Sequence, residues 1–364
     1  MDRDFTDSKN LTLPEREGRE HSSDGYSFLS ELLDQWGRPR LDMAIDFFPH
    51  LQQKDLPYLI EGFQQWRDYA EYMNLKGVNR VNGKELYIVV KCSKRGNDVF
   101  TERLNRKLGF LRGFEGIKLF SLSDFQKKEY VASNLLWVTL TYNPALCSLD
   151  DAWERIAKEW NRFITNLRNR YGRIFYLGIP EAFPNPEGSA YGYPHKHIML
   201  LFMDHDFNAF PHWEKKRDGK EGWVYRIREK HELETQGKWH SHVDVKAIHS
   251  GKALGGYLRK HMKNTHYGDS QEALVTQALL WLKEKPTYTM SSGFRRAFND
   301  LITGKHDSKT SAQETLDGGI IDDWVWSFHG IFSAAEVGVN SGVWFKSLTK
   351  EEFQKLGDWR GNGG

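Results

Sequence analysis

The run from residue 135 to 203 constrains the fold more than any other part of this 364-residue chain. Leu135 to Tyr142 (LLWVTLTY) is short, apolar and stopped by Asn143-Pro144, so it reads as a buried strand. Ser148 with Asp151 three residues on resembles a capping box, Asp standing in for the usual Glu. The helix it opens carries Trp153, Ile156, Ala157, Trp160, Phe163, Ile164 and Leu167 on one face, with Glu154, Lys158, Arg162 and Arg168 outside. Arg173 to Ile179 (RIFYLGI) is a second strand. Tyr193 to Met203 (YPHKHIMLLFM) is a third, reached through a Pro- and Gly-rich loop over 183–192. Glu214 to Gly237 is highly charged and is expected to include a solvated helix. Trp239 to Ile248 (WHSHVDVKAI) alternates as a fourth strand, and Gly251 to Lys263 and Leu274 to Lys285 read as helices. This order predicts an α+β fold: a split βαβ arrangement on a mostly antiparallel sheet, with helices on one face.

The rest of the chain divides around that block. Residues 1–25 are polar and charged and read as a mobile tail. Residues 26–128 form an accessory α/β region, with a helix expected over Asp55 to Met73 and a strand over Glu85 to Cys92. The central domain covers 129–304, a linker 305–318, and a Trp-rich C-terminal extension 319–364. The 13 Trp, 15 Tyr and 22 Phe supply apolar mass for a sizeable core and exclude wholesale disorder. Cys92 and Cys147 cannot make a disulfide framework or a multi-cysteine zinc site. The N-terminus carries no secretory pattern, and no stretch approaches about 18 uninterrupted apolar residues. The expectation is a soluble, cytoplasmic protein with no membrane partner and both thiols reduced. No GxxxxGK[ST] run is present, so no built-in helicase is expected.

Three features converge on one chemistry. His195-Lys196-His197 opens the third strand, where residues two apart share a side, so both imidazoles can meet one ion while Lys196 points away. Glu181 ends the preceding strand, an antiparallel neighbour, and can return beside the pair as an oxygen ligand. Two histidines and one carboxylate leave coordination positions open for a phosphate oxygen or water. Tyr257-Leu258-Arg259-Lys260 lies in the helix after the fourth strand, so Tyr257 and Lys260 can address one point, with His261 a step further. Gly255 and Gly256 just before the tyrosine are unfavourable in a helix by roughly 1 kcal/mol each relative to Ala, which close backbone approach to a ligand can offset. Taken singly, each feature has a plainer reading as packing or solvated surface. His240-Ser241-His242 is a second pair of the same pattern. The joint order carries the argument.

That ordered set resembles the HUH endonucleases, in particular the rolling-circle replication initiators of plasmids and viruses. Leu135 to Asn143 (LLWVTLTYN), His195-Lys196-His197 and Tyr257 to Lys260 look like their three successive motifs, and Glu181 stands where geminivirus-type initiators place a carboxylate ligand. VDVKAI (243–248) leading into GGYLRKHMK (255–263) is similar to plasmid and phage initiators, and SSGFRR (291–296) is weakly similar to a segment they carry downstream. The resemblance covers roughly residues 130–304. It differs in two places: Lys196 replaces a bulky hydrophobe, and Ala253 stands where a two-tyrosine motif would have its other tyrosine. The resemblance implies a ferredoxin-like (HUH) fold and a single-tyrosine nicking–joining enzyme. Glu181, His195 and His197 would hold Mn²⁺ or Mg²⁺, Tyr257 would be the nucleophile and Lys260 its cationic neighbour. The implied substrate is single-stranded or extruded origin DNA, with host helicase and polymerase as further partners and a nucleoid-associated location. A tyrosine placed after the histidine motif favours initiators or some transposases over conjugative relaxases. Two other readings fit the same residues: a nucleic-acid-binding protein whose histidines merely pack, and a metal-dependent hydrolase with Glu181 as general base.

The charges, a net +2 over the chain, are unevenly placed. Residues 1–60 carry 12 acidic and 7 basic side chains, whereas 245–305 carry 10 basic and 4 acidic ones. Lys246, Lys252, Arg259, Lys263, Arg295 and Arg296 in that stretch are the expected DNA-binding residues. Trp239, Tyr267, Trp281, Tyr288 and Phe294, interleaved with them, can stack on bases where exposed.

Overall fold

The computed structural model describes residues 41–361 apart from 115, 127, 216–218, 220, 267 and 304–322. The tail expected over 1–25 and the linker expected over 305–318 lie outside the described residues. The chain first forms α1 (Leu41–Phe47), α2 (Leu56–Asp68), β1 (Glu71–Asn79), β2 (Glu85–Lys91) and α3 (Asp98–Lys107). The central part follows as β3 (Val131–Ser133), β4 (Leu135–Thr141), α4 (Leu149–Tyr171), β5 (Ile174–Ala182), β6 (Pro194–Phe202), β7 (Phe207–Lys215) and β8 (Glu221–Ile227). Then come α5 (Lys230–Gly237), β9 (Val243–Ala247), α6 (Gly251–His266), α7 (Gln271–Leu282), β10 (Thr289–Met290) and α8 (Phe294–Thr303). The chain closes with β11 (Trp324–Ser333), β12 (Phe345–Leu348) and α9 (Lys350–Gly361).

The central sheet has the order β10-β5-β6-β4-β9, and every neighbouring pair is antiparallel. Because β4 and β5 both oppose β6, they run parallel to each other across it, and α4 is their crossover. Local signals set α4: Ser148 Oγ accepts the Asp151 N–H at 3.1 Å, and Gly172 ends the helix at φ 81°. Its buried stripe of Trp160, Phe163, Ile164 and Leu167 packs on Leu136, Val138 and Leu140 of β4. Ala157 falls outside the stripe and is exposed.

The expectation of helices on one face is corrected: both faces are covered. On the side opposite α4, Trp137, Met199 and Ile179 pack against Leu258 and Met262 of α6, Phe294 and Phe298 of α8 and Leu104 of α3. The cause lies in β6, which is buried at every position. A strand without polar alternation needs an apolar layer on each side.

The accessory region and the C-terminal extension, far apart in sequence, build one structure. β1 and β2 are the inner strands of a sheet of order β11-β1-β2-β12. Tyr72, Val89, Phe332 and Leu348 form its core, capped by Phe353 and Leu356 of α9. The two helices at the start instead join the central domain, where Leu59 and Phe63 of α2 meet Trp153 of α4 and Trp281 of α7. The helix expected to reach Met73 ends at Asp68, and Met73 lies in β1.

A third sheet, β3-β7-β8, flanks the centre. The solvated helix expected within Glu214 to Gly237 is α5, and the end of β7 with β8 occupies the part before it. The fourth strand is also shorter, beginning at Val243, so residues 239–242 are loop. No helix among the described residues is long and apolar enough to cross a membrane.

Candidate metal centre

Strand register assembles the site. On β6, His195 lies directly opposite Glu181 of β5 and Thr141 of β4, and His197 lies opposite Ile179 and Thr139. Paired residues share a face, so Glu181, His195, His197 and Thr139 project to the side covered by α6. All three candidate ligands are buried. The Nε2 atoms of His195 and His197 are each 3.4 Å from Glu181 Oε2. Ligands about 2.0–2.1 Å from one ion are roughly 2.8–3.0 Å apart in octahedral and roughly 3.3–3.4 Å apart in tetrahedral arrangement, so the 3.4 Å gaps are of the size a small divalent cation spans.

The protonation states fit as well. Burial pushes the Glu181 carboxyl up, but hydrogen bonds from His195, His197 and His261 outweigh it and hold the group well below the usual carboxylate range. Burial, with help from the neighbouring His261 and His195, pushes His197 down to about 3 against the opposing pull of Glu181, so its ring is neutral. An ionised carboxylate facing a neutral imidazole is the form in which both bind a metal. Thr139 Oγ1 lies 3.0 Å from His197 Nδ1 and fixes that ring with Nε2 toward Glu181. Phe183 packs on His195, ring centroids 4.5 Å apart. Among the described residues these three form a group that can hold a metal ion. The rival pair does not converge. His240 and His242 are exposed in the loop before β9, and His240 is bound to Glu159 at 2.9 Å and to Ser241 at 2.7 Å.

Tyr257 reaches the same side of the sheet on α6. Its half-buried ring stacks on Trp137 with centroids 5.3 Å apart and planes at 23°. Trp137 also stacks on His197 at 5.9 Å and His261 at 5.5 Å, so one indole underlies the candidate metal ligands and the tyrosine together. Lys260, Arg259 and Lys263 lie on α6, and their side chains fall outside the described set. Lys252 is exposed at the start of α6. Lys246, opposite Trp137 in the β4–β9 register, is engaged by Asp244 at 3.2 Å. Arg295 and Arg296 are exposed on α8, the former with its guanidinium 5.3 Å from the Phe110 ring centre.

Two contributors escaped sequence reasoning, Trp137 and Thr139, and a third, His261, was placed beside Tyr257 and Lys260 but given no role. The first two share a strand face, a period-two signal that becomes useful only once β4 is aligned with β6. His261 follows Tyr257 by four residues, one helical turn, and that spacing was available. Most of the aromatics expected to stack on bases are otherwise occupied. Trp281 and Phe294 are buried, Trp239 donates to the Thr141 carbonyl at 2.8 Å, Tyr288 is half-buried, and Tyr267 lies outside the described residues. The exposed aromatics are elsewhere, as in the cross-strand pair Trp213 and Trp223 on β7 and β8.

Lys196 projects to the opposite face and is buried there, its Nζ 4.6 Å from the centre of the Trp160 ring. Gly178 makes room for it, since a Cβ there would sit 2.7 Å from Lys196 Cε. Burial pushes the amine down to about 7. The unfolded chain therefore binds more protons than the folded one between about pH 7 and the ordinary lysine range, so stability rises with pH across that window. Lys196→Met is expected to raise the melting temperature by a few degrees or more, with a larger gain at pH 6 than at pH 10. Thermal melts of both proteins at the two pH values check it; an equal gain at both overturns the assignment of the penalty to a buried charge.

Comparisons of the chain with protein-family models, curated proteins and solved structures each returned no match.

Proposed function

We propose that the protein is a metal-dependent nicking–joining enzyme of the HUH type, acting as a rolling-circle replication initiator on single-stranded or extruded origin DNA. The observation that supports this best is the register that sets Glu181 opposite His195, both imidazoles 3.4 Å from one carboxylate oxygen, while α6 brings Tyr257 to the same face. The β4–α4–β5 crossover with β6 between its strands is a split βαβ unit, which supports this reading.

In this reading Glu181, His195 and His197 hold Mn²⁺ or Mg²⁺, which when bound supplies Lewis-acid polarisation of a non-bridging phosphate oxygen. Tyr257 gives up its phenolic proton and its oxygen attacks phosphorus. The new bond is a 5′ phosphotyrosine, and the bond to the 3′ oxygen breaks. That oxygen takes up one proton from solvent, matching the phenolic proton that Tyr257 releases to solvent, and leaves as a free 3′ hydroxyl able to prime a polymerase. A phenol ionises near pH 10, so a nearby cation is needed to favour the phenolate. Lys260, three residues on along α6, is assigned that role. Attack of a 3′ hydroxyl on the phosphotyrosine reverses the step and rejoins the strand without ATP, because one phosphodiester is exchanged for another.

The test uses the full chain, Mn²⁺ and a pool of single-stranded oligonucleotides labelled at the 3′ end. A label that migrates with the denatured protein and maps by peptide sequencing to Tyr257 supports the reading. Cleavage with no protein attached points to metal-dependent hydrolysis and overturns it.

A further inference from the structure

The two oxygens of Glu181 are used differently. Oε2 faces the two ligating imidazoles, whereas Oε1 accepts a hydrogen bond from His261 Nδ1 at 2.8 Å. His261 is buried, and its ring lies against His197 with centroids 3.7 Å apart and planes at 29°. It therefore holds both the carboxylate and one imidazole of the centre, while belonging to neither of the strands that carry them. Its own element is α6, where it sits one turn beyond Tyr257, and both rings rest on Trp137.

Leu254, Leu258 and Met262 also pack α6 on the sheet, but its intrinsic helix propensity is low. Gly255 and Gly256 stand in its interior, each unfavourable by about 1 kcal/mol relative to Ala. A Cβ at Gly256 would meet open space, so packing within the protein does not call for glycine there. A helix of low intrinsic stability depends on the contacts that dock it.

We infer that His261 is a positioning residue that couples the metal centre to the helix carrying Tyr257. The carboxylate that a cation needs is the carboxylate that docks α6, so cation binding and helix docking reinforce each other, and by linkage the effect is reciprocal. The inference rests on reading Glu181, His195 and His197 as a metal centre. In nicking it means that the tyrosine is best ordered when the centre is loaded.

The test combines calorimetric titration of the full chain with Mn²⁺ and hydrogen exchange across residues 251–266 with and without Mn²⁺. In the wild type, Mn²⁺ is expected to slow exchange in α6. His261→Phe keeps a ring in the stack but has no N–H for Glu181; it should bind Mn²⁺ about 10–100-fold more weakly and lose the metal-dependent protection. His261→Gln, which keeps a side-chain donor, should recover part of the affinity. Wild-type affinity in His261→Phe overturns the proposal. So does wild-type exchange in α6 that is indifferent to bound Mn²⁺, a measurement that needs no variant to fold. Failure of the underlying reading looks different: the wild type then binds no Mn²⁺, or His195→Ala with His197→Ala binds it as the wild type does.

Discussion

A Tyr257→Phe protein is expected to form no covalent adduct with single-stranded DNA and to nick at least about a thousandfold more slowly than the wild type. The substitution removes one oxygen and leaves the ring, which is what stacks on Trp137 and joins the cluster beneath α6. Fold and stability should therefore change little. Mn²⁺ affinity should be unchanged, since the three candidate ligands are untouched. That combination separates the loss of a nucleophile from the loss of a site. It is checked by denaturing gels with 3′-labelled oligonucleotides, run beside a Mn²⁺ titration of the same preparation. An adduct that persists in Tyr257→Phe would place the nucleophile elsewhere, and the assignment would fall.

Replacing His195 and His197 together by Ala should abolish stoichiometric Mn²⁺ binding. Losing an outer partner of a metal site weakens affinity by about 10–100-fold, so losing two ligands should exceed the upper end of that range. What stays behind is Glu181 held by His261, a single carboxylate whose Oε1 is already occupied. Both imidazoles are buried, so the double variant also leaves cavities and should be less stable. Circular dichroism at the working temperature is the control that the protein is folded. Titration calorimetry or the paramagnetic resonance of free Mn²⁺ reads the binding. A folded double variant that binds one Mn²⁺ as tightly as the wild type would reduce these histidines to packing.

Much of the central domain was legible because its signals are local. β4 and β6 announce themselves as apolar runs, and α4 as a capped stripe from Trp153 to Leu167. The alternation of His195, Lys196 and His197 across the sheet follows from strand geometry alone. What escaped depends on alignment between distant segments. Whether Thr139 or its neighbour meets His197 is decided by a register that a one-residue slip would invert. Glu71 pairs with Ser333 through no local pattern at all. The β7–β8 hairpin was hidden for another reason: Lys215, Glu221 and Arg226 gave it the composition of a solvated helix, although Tyr225 and Ile227 are buried against Phe120 and Phe207. Charge at the margins masked a period of two. Trp281 and Phe294, expected to stack on bases only where exposed, are buried, since apolar side chains within a basic stretch are claimed by the core before any ligand.

The sheet that joins β1 and β2 to β11 and β12 also sets an order on biosynthesis. Its inner strands leave the ribosome before the central sheet, its outer ones only after it. Until then the first hairpin waits with both edges open, while the central sheet already has every strand it needs. A chain cut short before Trp324 would keep Glu181, His195, His197 and Tyr257, yet leave Glu71–Asn79 and Glu85–Lys91 each with an unpaired backbone edge. Open strand edges of that kind are templates for pairing with another chain. β11 and β12 thus act as a seal on β1 and β2.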